Sequence, residues 1–298
     1  MAWSPMCLYT WHAFWFFCHS LIACHSLPTN IACTFESTDW CGWYYPGGTW
    51  GNAPMYWYRR WGSTPSSGTG PSGAKEGSYY LYVEASGSAN NPYKSFWLYS
   101  ATFSAKSNWL FSFGYHMYGS TMGELSLEGR DGTTYTTLWR VSGSQGWAWL
   151  DAHVIVPSSV NKFRFVAKTG YSWSSDIAID GLVVRSIDRE NFMVLSGPCA
   201  STGGCVTSPN HPHNYGNSES CEILAPEEPL YFTQFATEEG KDALTFGGQA
   251  YSGSAGPPQG ATTSLMILWN CDVANTFSGW QICTAYELTL VFCKPNFT

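Results

Sequence analysis

The residues of this chain whose type and spacing could do chemistry are first of all its cysteines. The 298-residue sequence contains 11 cysteines, at positions 7, 18 and 24, at 33 and 41, and at six positions from 199 to 293. No two of them have the Cys-x-x-Cys spacing that commonly marks a zinc site. Clusters of this kind are typical of disulfides, so we predict an oxidising compartment.

The sequence motifs of common hydrolases and phosphate-binding enzymes are absent. There is no His-Glu-x-x-His, no Gly-x-Ser-x-Gly and no glycine-rich phosphate loop before a helix. His211 and His213 form the single close histidine pair, within a segment rich in turn-forming residues. His116 stands alone on a predicted strand, where a hydrogen-bonded or half-buried histidine is a commoner outcome than a catalytic base. We therefore predict that the chain is not an enzyme.

Composition favours β-structure and excludes nucleic acid as a partner. Charged residues make up 12% of the chain, against about 25% in typical soluble domains. Glycine, tryptophan and tyrosine are abundant, which suits strands and turns better than helices. The formal net charge is −7 and no cluster of lysines and arginines is present, so binding to a phosphate backbone is not expected.

The elements that would position functional residues are strands. Phe111, Phe113 and Tyr115 alternate with small residues, which is the period-two pattern of a strand with one buried face. Glycines 119 and 123 permit a reversal, and residues 124–128 alternate again. With room for two cores in this length, we predict an all-β chain of two tandem antiparallel β-sandwich domains of the jelly-roll type.

A series of short motifs covers residues 31–186 in order. They are Cys33-Thr-Phe-Glu36, Thr69-Gly-Pro-Ser72, residues 77–84, the strand at 110–118, Leu138-Trp-Arg140 with Gln145-Gly-Trp147, and Asp176-Ile-Ala-Ile-Asp-Gly181. Together they resemble the MAM domain, an extracellular adhesion module. The resemblance implies a jelly-roll sandwich and a disulfide between Cys33 and Cys41.

The chain departs from that family in two ways. The second family disulfide is missing, with Leu110 at one of its positions, and the family's Asp-His-Thr is replaced by Gly73-Ala-Lys75. The replacement weakens the expectation of a bound cation in this domain. Glu36 and Asp180 could supply oxygen ligands, but pairing with backbone amides at strand ends is the favoured interpretation.

A second resemblance covers residues 199–285. Five features occur in the same order as in a CUB domain, which this part of the chain resembles. They are Cys205-Val-Thr-Ser-Pro-Asn-His-Pro-His-Asn-Tyr215, Cys221, residues 235–244, Trp269-Asn-Cys-Asp272 and Gly279-Trp280. In calcium-binding members, acids at the positions of Glu238, Asp242 and Asp272 converge on one edge and can engage a lysine or arginine of a partner. The resemblance therefore implies calcium here, and the alternative is three solvated acids on exposed loops.

The same resemblance guides the pairing of the remaining cysteines. The preferred pairs are Cys205 with Cys221 and Cys199 with Cys283, the second of which would tie the first strand of the domain to the last. Cys271 takes the place of a serine of that family, and its expected partner is Cys293. Because six cysteines allow 15 connectivities, other pairings stay open.

The flanking segments are assigned from composition. Residues 1–26 are predicted to be a signal peptide, with a signal anchor or a wrongly chosen start as alternatives. Residues 187–198 are predicted to be a linker. The tail, 286–298, ends in Asn296-Phe-Thr298, an acceptor pattern for N-glycosylation.

The combined hypothesis is a non-catalytic adhesion or recognition protein of the cell surface or extracellular space, binding a protein ligand. The alternative is the non-catalytic, ligand-binding portion of a larger secreted or membrane-bound protease. The sequence leaves open a carbohydrate ligand, read by surface tryptophans, and an association with a membrane.

Overall fold

The computed structural model describes residues 30–46, 49–50, 53–54, 56–87, 89–104, 109–187, 189–263 and 266–285. The predicted signal peptide, the tail with Asn296, and Cys293 with its predicted bond to Cys271 lie outside these residues. The described part folds into strands arranged in antiparallel sheets, so the predicted all-β sandwich fold is confirmed. None of its helices is long and apolar enough to cross a membrane.

The first sandwich contains strands β1 to β12. Their bounds are β1 Asn30–Cys33, β2 Thr49–Trp50, β3 Ala53–Pro54, β4 Tyr58–Trp61, β5 Tyr79–Val83, β6 Ser95–Tyr99, β7 Trp109–Met117, β8 Glu124–Asp131, β9 Thr134–Ser142, β10 Leu150–Val156, β11 Lys162–Lys168 and β12 Ile177–Ser186. One sheet has the order β10-β7-β12-β5-β4, with β1 also paired to β12. The other has the order β6-β11-β8-β9, and β2 and β3 form a two-stranded ribbon.

Strand β7 forms the centre of the first core, as the alternating pattern predicted. The rings of Phe111 and Phe163 have centroids 4.8 Å apart, and those of Phe113 and Phe165 are 4.9 Å apart. These contacts join β7 of one sheet to β11 of the other. All four rings are 2% exposed or less, and aromatic pairs of this kind stabilise beyond their buried area.

A bulge interrupts β12 at Asp180 and is built around a buried carboxylate. The register against β7 shifts after Asp180, and Gly181 adopts φ +59°. Asp180 is 0% exposed. It accepts hydrogen bonds from the amides of Lys75 and Glu76 at 2.9 and 3.0 Å, and from Gly181 at 2.7 Å. Asp180 therefore pairs with backbone amides, and that interpretation is confirmed.

Glu36 plays a similar part at the start of β5. One of its carboxylate oxygens accepts from the amides of Ser78 and Tyr79, each at 2.8 Å. These two bonds hold the pKa of Glu36 below its usual value. The Glu36 carboxylate thus accepts hydrogen bonds from two backbone amides at the start of β5, as the sequence interpretation favoured.

The second sandwich contains strands β13 to β21. Their bounds are β13 Met193–Ser196, β14 Ala200–Thr202, β15 Cys205–Thr207, β16 Ser220–Leu224, β17 Leu230–Ala236, β18 Ala243–Phe246, β19 Gln249–Tyr251, β20 Met266–Asn270 and β21 Gly279–Thr284. The two sheets have the orders β13-β16-β20-β18-β19 and β14-β15-β21-β17. Trp269 and Trp280 lie between them, both 0% exposed, with ring centroids 5.9 Å apart.

The segment expected to be a linker, 187–198, is structured. Strand β13 lies inside it and pairs antiparallel with β16. Phe192 is 5% exposed and belongs to the core of the second sandwich. Arg189 and Glu190, two of the charged residues that suggested a linker, lie in bends before β13, and the apolar residues after them form the edge strand of a sheet. The second sandwich therefore begins before residue 199.

The disulfides agree with the prediction at one end of the chain and differ at the other. Cys33 is bonded to Cys41, as predicted. The structure bonds Cys199 to Cys221, and Cys205 to Cys283, so the predicted partners of these four cysteines were wrong. The physical reason is the strand register, because Cys205 on β15 lies directly opposite Cys283 on β21.

The two sandwiches meet through an apolar cluster that includes the position of the missing family cysteine. Leu110 is buried together with Ile187 and with Leu224 of β16. Ile155 of β10 and Met266 of β20 pack against the same cluster. A leucine at position 110 therefore contributes to packing between the sandwiches, where a cysteine would have formed a bond within the first.

Candidate metal centre

The structure brings Glu238, Asp242 and Asp272 together at one end of the second sandwich. Asp242 directly precedes β18 and Asp272 follows β20, and these strands are neighbours, with Ala243 opposite Asn270. Glu238 lies on the connection from β17 to β18. One carboxylate oxygen from each acid lies within 4.8 Å of the others. The predicted convergence of the three acids is therefore present.

Asp242 is the buried member of this acid cluster, the name we use for Glu238, Asp242 and Asp272. Its side chain is 0% exposed. One oxygen accepts from the Tyr215 hydroxyl at 2.6 Å and the other from the Asp272 amide at 2.9 Å. The alternative of three solvated acids is therefore wrong for Asp242, whose orientation is set by packing and hydrogen bonds.

Glu238 and Asp272 are half-buried, and each accepts a hydrogen bond on one carboxylate oxygen. Glu238 Oε1 accepts from Asn275 Nδ2 at 2.9 Å, and Asp272 Oδ1 accepts from the Ala274 amide at 2.9 Å. Glu238 Oε2 is buried and has no hydrogen-bond partner among the described residues. A buried carboxylate oxygen without a donor is costly, so this atom is the point where a ligand would gain most.

The electrostatics of the acid cluster favour a positive ligand. Two ionised carboxylates at this separation repel by about 3 kcal/mol at an effective dielectric constant near 20. Among the described residues, no lysine or arginine nitrogen is within 4.0 Å of these acids. The donor set consists of hard oxygens alone, which is the set that calcium prefers. The residues present thus fit a calcium ion.

Tyr215 is a member of the site that the sequence did not single out. Its ring packs against Trp269 with centroids 5.0 Å apart, and its hydroxyl also accepts from the Glu238 amide at 3.2 Å. Burial, and then the hydrogen bond to Asp242, raise the pKa of Tyr215. The sequence signal that could have identified Tyr215 was its position at the end of the motif that runs from Cys205 to Tyr215.

Cys271 lies beside the acid cluster and carries a thiol. It is half-buried and is the one free cysteine among the described residues. Its Sγ lies 3.2 Å from the Gly216 carbonyl and 3.2 Å from the Glu219 amide. Burial is the main cause that raises the pKa of this thiol, so it is a poor nucleophile at neutral pH.

A serine–histidine–glutamate array lies between the sandwiches but lacks the setting of a hydrolase. Ser112 Oγ is 2.8 Å from His153 Nδ1, and His153 Nε2 is 3.6 Å from a Glu222 oxygen. Ser112 lies in the middle of β7, opposite His153 in the sheet, and not on an exposed turn as a nucleophile would. The desolvation of His153, which is the largest cause, lowers its pKa despite the nearby Glu222. His153 thus makes a contact between the first sandwich and Glu222 of the second.

His116 is buried and hydrogen-bonded through one ring nitrogen, in agreement with the sequence interpretation that it is not a catalytic base. It is 2% exposed, and its Nε2 lies 2.9 Å from the Trp147 carbonyl oxygen. Burial lowers its pKa. No catalytic role follows from this environment.

Relatives from vertebrates match about half of the chain. MAM domain-containing protein 2 of Mus musculus is 34% identical over 151 residues, covering 48% of this chain and 20% of that protein. Neuropilin-1a of Danio rerio is 29% identical over 181 residues, covering 56% and 18%. MAM domain-containing glycosylphosphatidylinositol anchor protein 1 of Rattus norvegicus is 34% identical over 148 residues, covering 44% and 15%. The match thus spans 20% or less of each relative's length.

Solved structures with a related shape are more distant. The K1 cleaved adhesin domain of Lys-gingipain from Porphyromonas gingivalis W83 has a TM-score of 0.42 at 12% identity, covering 54% of this chain and 100% of that one. A carbohydrate-binding module, CBM27-1 of Caldicellulosiruptor saccharolyticus in complex with mannohexaose, has a TM-score of 0.36 at 12% identity, covering 53% and 98%. Both similarities are too low to support an argument about function.

A sequence profile settles the family. The profile described as MAM domain, meprin/A5/mu, matches residues 33–188, which is just over half of the 298 residues. It begins at the first cysteine of the Cys33–Cys41 disulfide and ends just after β12, so it covers the first sandwich. Relatives of this kind indicate an extracellular adhesion or interaction module. The chain belongs to the MAM domain family.

Proposed function

We propose that this chain is a non-catalytic recognition protein of the extracellular space or cell surface, in which a CUB-like second sandwich binds calcium. Glu238, Asp242 and Asp272 would hold the ion, together with main-chain oxygens and water. A lysine or arginine of an extracellular protein partner would then dock on the same carboxylates.

The observation that carries this proposal is the unpartnered Glu238 Oε2 within a cluster whose acids lie within 4.8 Å of one another. Three acids placed this close are stable only if their charge is compensated. A cation satisfies that oxygen and removes the repulsion in one step.

The side chains around the ion would do the positioning. Tyr215 and the Asp272 amide each donate to Asp242 and so set the direction of its two oxygens. Asn275 restrains Glu238 through its amide nitrogen. Calcium, when bound, would offset most of the negative charge of the cluster. A carboxylate oriented in this way can accept a short charge-assisted hydrogen bond from an ammonium or guanidinium group.

The surroundings support an extracellular setting. The described residues contain three disulfides, which persist in oxidising compartments. The first sandwich belongs to a family of extracellular interaction modules, and the apolar cluster at Leu110 packs the second sandwich against it. We propose that both act as one ligand-binding unit.

Calcium should raise the melting temperature of the full chain. An ion that binds only the folded state stabilises it by about 2.7 kcal/mol at a hundred times its dissociation constant. For the second sandwich, which holds the site, this corresponds to a rise in melting temperature of roughly 10–20 °C. Chelator should reverse the shift. Asp272→Asn should remove the calcium response while the chain stays folded, because Asp272 is half-buried in a loop.

The matched control for this prediction is Asp131→Asn, which changes an exposed acid at the end of β8 in the first sandwich. It should leave the calcium shift intact. Capture of a lysine-rich protein ligand should require calcium in the wild type and fail for Asp272→Asn. A wild-type melting curve that is indifferent to both calcium and chelator would contradict the proposal.

A further inference from the structure

An open groove lies at one end of the four-stranded sheet of the first sandwich. Its volume is about 510 Å³, within the range of small-ligand sites. We call it the tyrosine groove, and the residues that matter for its chemistry are Tyr93, Glu124, Ser142, Lys168, Thr169 and Tyr171. The groove shares no residue with the acid cluster, so a ligand bound in it would not depend on the proposed calcium site.

Two tyrosine rings are held at the groove with most of their surface in solvent. Tyr93 is 60% exposed and Tyr171 is 70% exposed. Their ring centroids are 6.5 Å apart, and the planes are inclined at 57°. Large aromatic side chains normally bury most of their area, so a pair of exposed rings facing one groove indicates a contact surface for a ligand.

The backbone at Tyr93 is strained in order to present its ring. Its φ of +56° lies in the left-handed region, which is unfavourable for a residue with a side chain. The Tyr93 amide donates to the Gly170 carbonyl at 3.0 Å, and this bond helps to hold the conformation. Strain of this kind persists where the surroundings enforce it and is concentrated at functional sites.

The walls of the groove are preformed, because two loops pack main chain against main chain. A Cβ at Gly123 would lie 1.9 Å from the Lys168 carbonyl oxygen, and one at Gly170 would lie 1.6 Å from the Thr121 carbonyl oxygen. Thr121 Oγ1 also lies 2.8 Å from Ser174 Oγ. The spacing between the loops is therefore set by packing and does not require a ligand.

The groove offers little to an extended peptide or to a polyanion. The Gly143 amide donates to Gly123 and the Thr169 amide to Lys94, so these wall amides are already used and cannot add a peptide strand. Lys168 and Glu124 face each other in the register of β11 and β8. These are the two charged residues that line the groove, and Glu124 is also paired with Arg140 at 3.9 Å. One lining charge of each sign gives the groove no cluster of cations for sulfate or phosphate groups.

We propose that the tyrosine groove binds a neutral oligosaccharide. One face of a pyranose ring carries C–H groups and suits an aromatic face such as that of Tyr171, while its hydroxyls project at the rim. Lys168 would donate to those hydroxyls, and Glu124 and Ser142 would accept from them. Two tyrosine rings 6.5 Å apart would contact consecutive sugar residues.

The test is binding of the full secreted chain to printed neutral oligosaccharides ending in galactose, mannose, glucose or N-acetylglucosamine, followed by calorimetry in solution with the best of them. Wild-type chain should bind at least one. Tyr171→Ala should weaken that binding at least tenfold, and Tyr171→Phe, which keeps the ring, should retain most of it. Trp61→Ala is the matched control, since it removes a 71% exposed aromatic from β4 in the other sheet, and should leave binding unchanged.

Chelator should not affect glycan binding, which separates this site from the calcium-dependent one. Unchanged melting temperatures for the Tyr171 variants would show that they are folded. Failure to bind any neutral glycan at millimolar concentration would overturn the proposal. Binding confined to sulfated glycans would also overturn it, as would an equal loss of glycan binding in Trp61→Ala. The proposal would likewise fail if the ligand that depends on Tyr171 were a protein that still binds after glycosidase has removed its glycans.

Discussion

Asp180→Ala should destabilise the first sandwich by about 4 kcal/mol, because three backbone amides would lose their buried acceptor at once. The carboxylate of Asp180 is 0% exposed and accepts from Lys75, Glu76 and Gly181. Burial raises its pKa to about 6, against the lowering effect of these bonds, so the group is mostly ionised at pH 7.5. Denaturant unfolding at that pH measures the loss.

Two variants make the result at Asp180 interpretable. Asp180→Asn keeps one acceptor oxygen and should lie between wild type and alanine. Asp151→Ala removes a half-exposed acid whose ion pair with Lys75 is 3.1 Å long, and exposed pairs of this kind contribute less than about 1 kcal/mol. Equal effects of Asp180→Ala and Asp151→Ala would show that the bulge does not depend on the buried carboxylate.

Removing the Cys205–Cys283 disulfide by a double alanine substitution should destabilise the second sandwich by about 4 kcal/mol in the chain-entropy account. This bond closes a separation of 78 residues and joins two neighbouring strands, β15 and β21. The Cys199–Cys221 bond closes only 22 residues, and its removal should cost about 3 kcal/mol. Unfolding of the oxidised full chain compares the two variants.

Peptide mapping without reduction provides the control for the disulfide prediction. The wild-type digest should contain one linked species with Cys205 and Cys283 and another with Cys199 and Cys221. Linked peptides that instead join Cys205 to Cys221 and Cys199 to Cys283 would support the pairing expected from the sequence and contradict the structure.

The position of the acid cluster could be predicted from the sequence because each acid lies in a recognisable motif. Glu238, Asp242 and Asp272 were identified by resemblance, and the structure brings them together. Their environment could not be predicted in the same way. The burial of Asp242 and its bond from Tyr215 depend on how the loop before β16 packs over the end of β18 and β20.

The cysteine pairing shows a different limit. Cys199, Cys205, Cys221 and Cys283 were correctly predicted to form disulfides, but their partners were not, because the partners follow from strand register. Register depends on which strands are neighbours, and that is a property of the whole sheet. A chain with 15 possible connectivities contains no local signal that selects one.

The contacts that come from distant segments were the hardest to foresee. The tyrosine groove takes residues from the ends of β8, β9 and β11 and from the loop before β6. Leu110 was noted as the position of a missing cysteine, but its contact with Leu224 requires the placement of the second sandwich. Neither arrangement leaves a pattern in any single stretch of sequence.

The most direct test of the central claim is a calorimetric titration of calcium into the chelator-treated full chain. We predict one ion bound per acid cluster in the wild type, weaker binding in Tyr215→Phe, which loses the hydroxyl that orients Asp242, and no binding at that site in Asp272→Asn. Asp131→Asn should behave as wild type. A wild-type chain that binds no calcium, or a site that persists unchanged in both Asp272→Asn and Glu238→Gln, would contradict the account.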